Sequence, residues 1–246
     1  IKTGKKCSAS SSIVEIENLS FAYGKTEILK SVNLEFKKGD KLVILGENGC
    51  GKSTFLKILA GVNKGSGLKA KKLESLGQPL NRVNSSFFSH NIGFVLQNPN
   101  HQLFMNSVWG EISLNAPNSQ AVEETLQLFG LQEVAERHPL TLSQGQKRLL
   151  AIAAITVSNP ALLLLDEPTI GQDYGSLGKI LEALNWLNQE KGMSMITVTH
   201  DQKAAEGLAD KVAVFSKGTI GEIGGRELIE NYFSCYLDED INEEAV

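Results

Sequence analysis

The sequence predicts an α/β fold with a mostly parallel sheet, an antiparallel β subdomain and an inserted α-helical subdomain. Three observations carry that expectation. A glycine-rich stretch, Gly46-Glu47-Asn48-Gly49-Cys50-Gly51-Lys52-Ser53-Thr54, separates the apolar run Leu42-Val43-Ile44-Leu45 from Phe55-Leu56-Lys57-Ile58-Leu59, which has helical spacing. Four leucines, Leu162-Leu163-Leu164-Leu165, run directly into Asp166 and Glu167. Short apolar runs at 162–165, 195–198 and 212–215 alternate with helical stretches at 175–188 and 201–209. That is the β-α-β-α-β order of a parallel sheet buried on both faces.

Taken in order, residues 13–21 and 32–36 read as strands, the second with clean apolar/polar alternation. Lys38-Gly39-Asp40 reads as a turn into the strand at 42–45, predicting an antiparallel hairpin. Scattered glycine, lysine and serine over 61–91 predict irregular surface structure with one or two edge strands, and a strand resumes at 92–96. Residues 106–140 look helical, with Val122, Leu126 and Phe129 at helical spacing. With the strongly apolar helix at 146–157 they make the inserted subdomain, approximately 106–158. No internal repeat or sustained heptad is visible.

The glycine loop sits in the strand–loop–helix context of a phosphate site, the core of a P-loop NTPase. Glycines let successive N–H groups turn inward on an anion, and the helix beginning near Ser53 adds its positive N-terminal end. Lys52 supplies a mobile charge for the outer phosphates, and the Ser53 hydroxyl a ligand for the accompanying magnesium ion. A glycine-rich turn without a ligand would not require lysine and serine in this register. The chain is predicted to bind a nucleoside triphosphate.

The chain has 246 residues, 41% of them hydrophobic, enough for one α/β domain or two closely joined lobes. A net charge of -4 and a pI near 5.7 argue against a mainly electrostatic nucleic-acid binder. Cys7, Cys50 and Cys235 are too scattered for a disulfide framework or a metal site, which suggests a reducing cytosolic setting. Residues 1–12 are polar, with no apolar stretch behind Lys2, Lys5 and Lys6, so no signal peptide is expected there. Because the chain opens on Ile1, 1–12 read equally as a flexible tail or as a linker from a longer polypeptide. Residues 233–246 read as an acidic tail. The longest apolar run, 149–157, is about half of what a bilayer core needs, so any membrane role must come through a partner.

Asp166 and Glu167 stand at the carboxyl end of a buried strand, where open α/β sheets bind ligands. Adjacent strand residues point opposite ways, so the two acids take different roles. Asp166 is placed to hold the magnesium shell, and Glu167 to orient and deprotonate the attacking water. About twenty residues earlier, Leu142-Ser143-Gln144-Gly145-Gln146 opens the apolar helix, with Ser143 and Gln146 at capping-box spacing. Its plain reading is a well-capped core helix. Its sharper reading is a second anion site, with Gly145 leaving the helix's first N–H groups bare. Two such half-sites could be completed by two copies facing each other.

In this order the motifs resemble those of the nucleotide-binding subunit of an ATP-binding cassette (ABC) transporter. The resemblance covers 13–226, within an expected ATPase domain at 13–232. It implies that Tyr23 stacks on adenine, that Gly46 to Thr54 is the Walker A loop, and that Gln97 is the Q-loop glutamine near magnesium and the membrane partner. It makes Leu142 to Gln146 the signature motif, so that Ser143, Gly145 and Gln146 bind nucleotide. Leu162 to Glu167 becomes the Walker B strand, Gly171-Gln172-Asp173 the D-loop, and His200 the switch histidine that senses the γ-phosphate. The implied cofactors are ATP and Mg2+, with Ser53, Gln97 and Asp166 around the metal and Glu167, His200 and Gln97 catalytic. Two departures stand out: Gln144 where the signature most often has glycine, and Gln172 where the D-loop often has leucine.

Residues 97–104 further resemble the Q-loop region of energy-coupling-factor importers, which take up vitamins or transition-metal ions. That resemblance implies a second ABC ATPase subunit, identical or different, and an integral membrane coupling subunit, at the cytoplasmic face of the membrane. Leu103, Phe104, Met105, Val108 and Trp109 are candidates to line the groove for coupling helices, or else pack the helical lobe. His101 reads as a polar groove residue rather than a metal ligand. The competing functions are the ATPase of a binding-protein-dependent importer and a soluble ABC ATPase acting on ribosomes or nucleic acid. The absence of a coiled-coil insertion disfavours the chromosome-structure members of that last class.

Overall fold

A computed structural model describes residues 12–234. The tails expected at 1–12 and 233–246 lie outside them, except Ser12, which opens the first strand, and residues 233 and 234, which are helical.

Strand β1 (Ser12–Tyr23) turns through Gly24-Lys25 into β2 (Thr26–Lys37), and the two pair antiparallel. β2 alternates exposed and buried positions along its second half, one face on the core and one on solvent. Next comes β3 (Lys41–Leu45), every residue of which is buried. Here the expected hairpin between β2 and β3 does not form. A continuous apolar run must be covered on both faces, so Lys38-Gly39 carries the chain into a second sheet instead of reversing it.

Beyond the glycine loop, α1 (Lys52–Leu59) leads to three short strands, β4 (Leu68–Lys69), β5 (Lys72–Ser75) and β6 (Gln78–Pro79). β4 and β5 extend the β1–β2 sheet, and β6 pairs with β5, so the segment holds more strand than the one or two edges its composition suggests. Helix α2 (Ser85–Asn91), also missed at the sequence level, starts where the Asn84 side chain accepts from the Phe87 N–H. It delivers the chain to β7 (Ile92–Val95).

The inserted helices are α3 (Val108–Ser113), α4 (Ser119–Phe129) and α5 (Gln144–Thr156). Asn118 caps α4, and Val122, Leu126 and Phe129 form its buried stripe, the spacing seen in the sequence. After α5 follow β8 (Leu162–Asp166), α6 (Tyr174–Lys191), β9 (Ser194–Val198), α7 (Gln202–Leu208), β10 (Lys211–Ser216) and β11 (Thr219–Gly224).

The second sheet has the order β11-β10-β3-β9-β8-β7. Every pair from β10 to β7 is parallel, and β11 closes the edge antiparallel to β10. Side-chain alternation splits its central strands between two cores. Leu162 and Leu164 join Leu42, Ile44, Phe55 and the antiparallel sheet, while Leu163 and Leu165 join Val43, Leu45 and the helical lobe. That two-sided burial is why four consecutive leucines are tolerated in one strand. It also fixes the carboxyl ends of β3 and β8 side by side with β9 between them, where the glycine loop and the two acids emerge.

Candidate functional site

The glycine loop is held from beneath. Lys52 is buried, and its Nζ donates to the carbonyls of Gly46 at 2.6 Å and Glu47 at 2.7 Å, tying the loop to the first turn of α1. A Cβ on Gly46 would fall inside the Phe215 carbonyl oxygen, so only glycine lets the loop leave β3 against β10. Gly51 caps α1 at φ 115°, and no side chain takes the helix's first N–H groups, which leaves them for an anion. A cavity of about 290 Å³ opens above, lined among others by Asn48, Gly49, Lys52, Ser53, Thr54, Gln97 and Glu167. The fold thus gathers the loop, Gln97 just beyond β7 and the acid after β8 around one space.

Ser53 and Gln97 also line a neighbouring cleft with Asp166, where the Ser53 hydroxyl donates to Asp166 Oδ1 at 3.0 Å. Asp166 is buried, and burial raises its carboxyl above the ordinary value. The Ser53 hydrogen bond works against that, neighbouring Glu167 adds to it, and Lys57 and Lys52 oppose it. Hydroxyl, carboxylate and the Gln97 amide are hard oxygen donors, the set that suits Mg2+. A buried carboxylate that resists ionisation beside such donors is suited to a cation. Among the described residues no group of three or more His, Cys, Asp or Glu offers a different metal site, and His101 is an exposed residue of the neighbouring cleft.

Glu167 differs from its expected geometry. It has left the strand, with φ 51°, and is turned onto His200. The two acids do have different partners, but the left-handed turn, and not strand alternation, separates them. His200 itself lines a second cavity of about 560 Å³ with Gln172. The Gln172 Oε1 atom is buried without a hydrogen-bond partner.

Other predicted residues lie outside the loop cavity. Tyr23 is 51% exposed, its ring edge-to-face with Phe21 at 4.8 Å and its hydroxyl accepting from Asn63 Nδ2 at 2.6 Å. Ser143, Gly145 and Gln146 stand at the start of α5. Their capping box is complete: the Gln146 N–H donates to Ser143 Oγ at 3.2 Å and the Ser143 N–H to Gln146 Oε1 at 3.1 Å. The space beside Gly145, read from the sequence as leaving the helix end bare, is instead occupied by α6. A Cβ there would come within 2.5 Å of Ser176 Oγ and 3.1 Å of Gln172 Oε1, so glycine lets α5 pack on the start of α6.

The groove candidates divide. Leu103 and Val108 are core residues, whereas Phe104 is 75% exposed. Sequence reasoning missed what holds Phe104 out: Glu111, 2% exposed, whose Oε2 accepts from the backbone N–H of Phe104 and of Met105, each at 2.7 Å. It also missed Arg148, a buried cation beside Lys147 in α5, whose Nη1 donates to the Leu96 carbonyl at 3.1 Å. In both cases the available signal was a charged residue at a position the helical period assigns to the core.

Fold and site together define an ABC ATPase of the P-loop class. The ABC transporter family model matches residues 29–170, and the chain belongs to that family. Over 214 residues it is 35% identical to YkoD of Bacillus subtilis, provisionally named an HMP/thiamine import ATP-binding protein, covering 85% of this chain and 38% of that one. It is 32% identical over 239 residues to the spermidine/putrescine import ATP-binding protein PotA of Haemophilus influenzae, covering 94% of this chain and 63% of PotA. The chain therefore spans less than two thirds of these curated relatives. Among solved structures, CbiO1 of Clostridium perfringens, part of the ABC transporter complex cbiONQ, superimposes with TM-score 0.79 at 30% identity. That match covers 95% of this chain and 96% of CbiO1. A dimeric ATP-binding cassette, MJ0796, bound to ADP and Pi, gives TM-score 0.75 at 26% identity, covering 87% of this chain and 99% of that one. No helix of the described residues is long and apolar enough to cross a membrane.

Proposed function

We propose that two such subunits close face to face over two ATP molecules and that hydrolysis drives import through a membrane partner. One observation carries this reading. The cavity holding Lys52, Ser53, Gln97 and Glu167 does not include Ser143 and Gly145 of the same chain, which stand apart at the start of α5. A second copy supplies the missing half.

In that assembly the bare N–H groups at Gly51 and the Lys52 ammonium hold the phosphates, while Ser53, Gln97 and Asp166 hold Mg2+. The ion would neutralise phosphate charge and orient the terminal group. Glu167 takes the proton of the attacking water, and His200 keeps its carboxylate turned toward the phosphate. Tyr23, exposed at the end of β1, offers its ring to the adenine. Closure is favoured only as far as the γ-phosphate binds both surfaces better than one, so its loss reopens the pair. Gln97 and the exposed Phe104 transmit that movement to an integral membrane subunit, which places the chain at the cytoplasmic face of the membrane.

The energy-coupling-factor type is favoured by the 97–104 segment and by the likeness to CbiO1. A binding-protein-dependent importer is favoured by the likeness to PotA. Phosphate release measured over a dilution series tests the shared site. Specific activity should fall on dilution and fall further in Ser143→Ala; activity indifferent to both would overturn the reading. Identifying the membrane proteins that co-purify with the chain separates the two importer types, and recovery with ribosomes alone would eliminate both.

A further inference from the structure

Arg148 lies in the second turn of α5, four residues after Gln144 and three after Gly145, so it shares their helix face. Its side chain is 4% exposed, and Nε has no hydrogen-bond partner. Nη1 has one, the Leu96 carbonyl. Burial lowers its pKa from the ordinary value, opposed by attraction to Glu167 and then to Asp166. A buried guanidinium with a single carbonyl partner adds little to stability and costs desolvation, so stability does not account for it.

Its one partner is informative. The preceding peptide is held by Gln102, whose Oε1 accepts from the Leu96 N–H at 2.8 Å and whose Nε2 donates to the Phe94 carbonyl at 2.8 Å. β7 is the edge of its sheet, so Gln102 supplies bonds that a neighbouring strand would otherwise make. Arg148 then fixes the peptide that immediately precedes Gln97. A single rigid helix turn separates the signature residues from this contact.

We propose that Arg148 is a positioning residue for hydrolysis: from one turn inside the signature helix it holds the Leu96–Gln97 peptide in place. Any shift of α5 when Ser143 and Gly145 engage a partner's nucleotide is thereby felt at Gln97, in the other half-site of the same chain. The proposal rests on the ATPase reading above.

The test is steady-state phosphate release against ATP concentration, with nucleotide binding and thermal melting, for Arg148→Met, Arg148→Lys, Gln97→Ala and Arg148→Met combined with Gln97→Ala. Arg148→Met should lower kcat by about tenfold or more while KM changes less than about threefold, a displacement effect and not a binding one. Arg148→Lys, which keeps the charge and a donor, should recover most of the rate. The double variant should be no slower than Gln97→Ala alone, because the two changes act on one unit. An unchanged kcat in Arg148→Met, a lysine variant as slow as the methionine one, or losses that multiply in the double variant would overturn the proposal. Should Arg148→Met not fold, Arg148→Leu replaces it, and full activity there would overturn the proposal. A full rate in Glu167→Gln is a separate outcome: it overturns the hydrolysis reading itself, and this proposal with it.

Discussion

His200 Nδ1 sits 2.9 Å from Glu167 Oε1, and the His200 backbone N–H donates to Glu167 Oε2 at 3.4 Å, so one residue grips both oxygens of one carboxylate. The first contact needs a proton on Nδ1. Glu167 is buried and adopts a left-handed backbone, which for such a residue costs on the order of 1–3 kcal/mol. Its N–H is tied to the Val198 carbonyl at 2.9 Å, so β9 holds the strained turn in place. A strained turn maintained by a neighbouring strand and directed at a histidine is the arrangement the proposed role of Glu167 requires.

Glu167→Gln keeps the shape of that side chain and removes its basicity. Phosphate release should fall by about a hundredfold or more, the scale of general-base catalysis, while ATP binding persists. Size-exclusion chromatography with ATP should show a dimer that accumulates; rapid turnover without one would count against Glu167 as the base.

Asp166→Asn should separate stability from function. Burial raises the Asp166 carboxyl in the folded chain, so between the ordinary carboxylate value and that raised one the folded state binds more protons than the unfolded. Stability from this group is therefore present at low pH and is lost as pH rises through the folded value. The asparagine variant escapes that loss and can still accept from Ser53. Without nucleotide it should melt higher than the parent at neutral pH, the gap closing in acid, yet lose at least about tenfold in phosphate release. A variant that melts lower at neutral pH would contradict the burial argument.

Gly46→Ala should cost on the order of 2–3 kcal/mol in urea unfolding, as an overpacked backbone contact does. The cause is the Phe215 carbonyl, which occupies the space a Cβ needs. Nucleotide binding should be lost with it. Wild-type stability in the variant would mean the loop leaves β3 by another path.

Glu111→Ala should destabilise the chain by about 2–4 kcal/mol, since two backbone N–H groups lose a charged acceptor. Glu111→Gln, which retains an acceptor oxygen, should be milder. If Phe104 contacts the membrane subunit, Glu111→Gln should weaken co-purification of that subunit while ATP hydrolysis by the isolated chain is little changed.

Much of the site could be read directly from the residues. The Gly51 cap of α1, the Ser143–Gln146 capping box and the α4 stripe follow from residues a few positions apart, and those patterns carry over into the structure. Local chemistry is enough for them, because a cap, a period or a left-handed glycine is fixed by its immediate neighbours.

Tertiary structure decided what depends on distant partners. Nothing near Lys38-Gly39 says that β3 will pair with β9 and β10 and leave β2 in another sheet. Within one short segment, Leu103 goes to the core and Phe104 to solvent, because the buried Glu111 fixes the backbone between them. Ser53 meets Asp166 across 113 positions, and Gly145 meets Ser176 across the gap between two helices. Pairing and burial are set by where the rest of the chain lies, which the spacing of residues along one segment does not record.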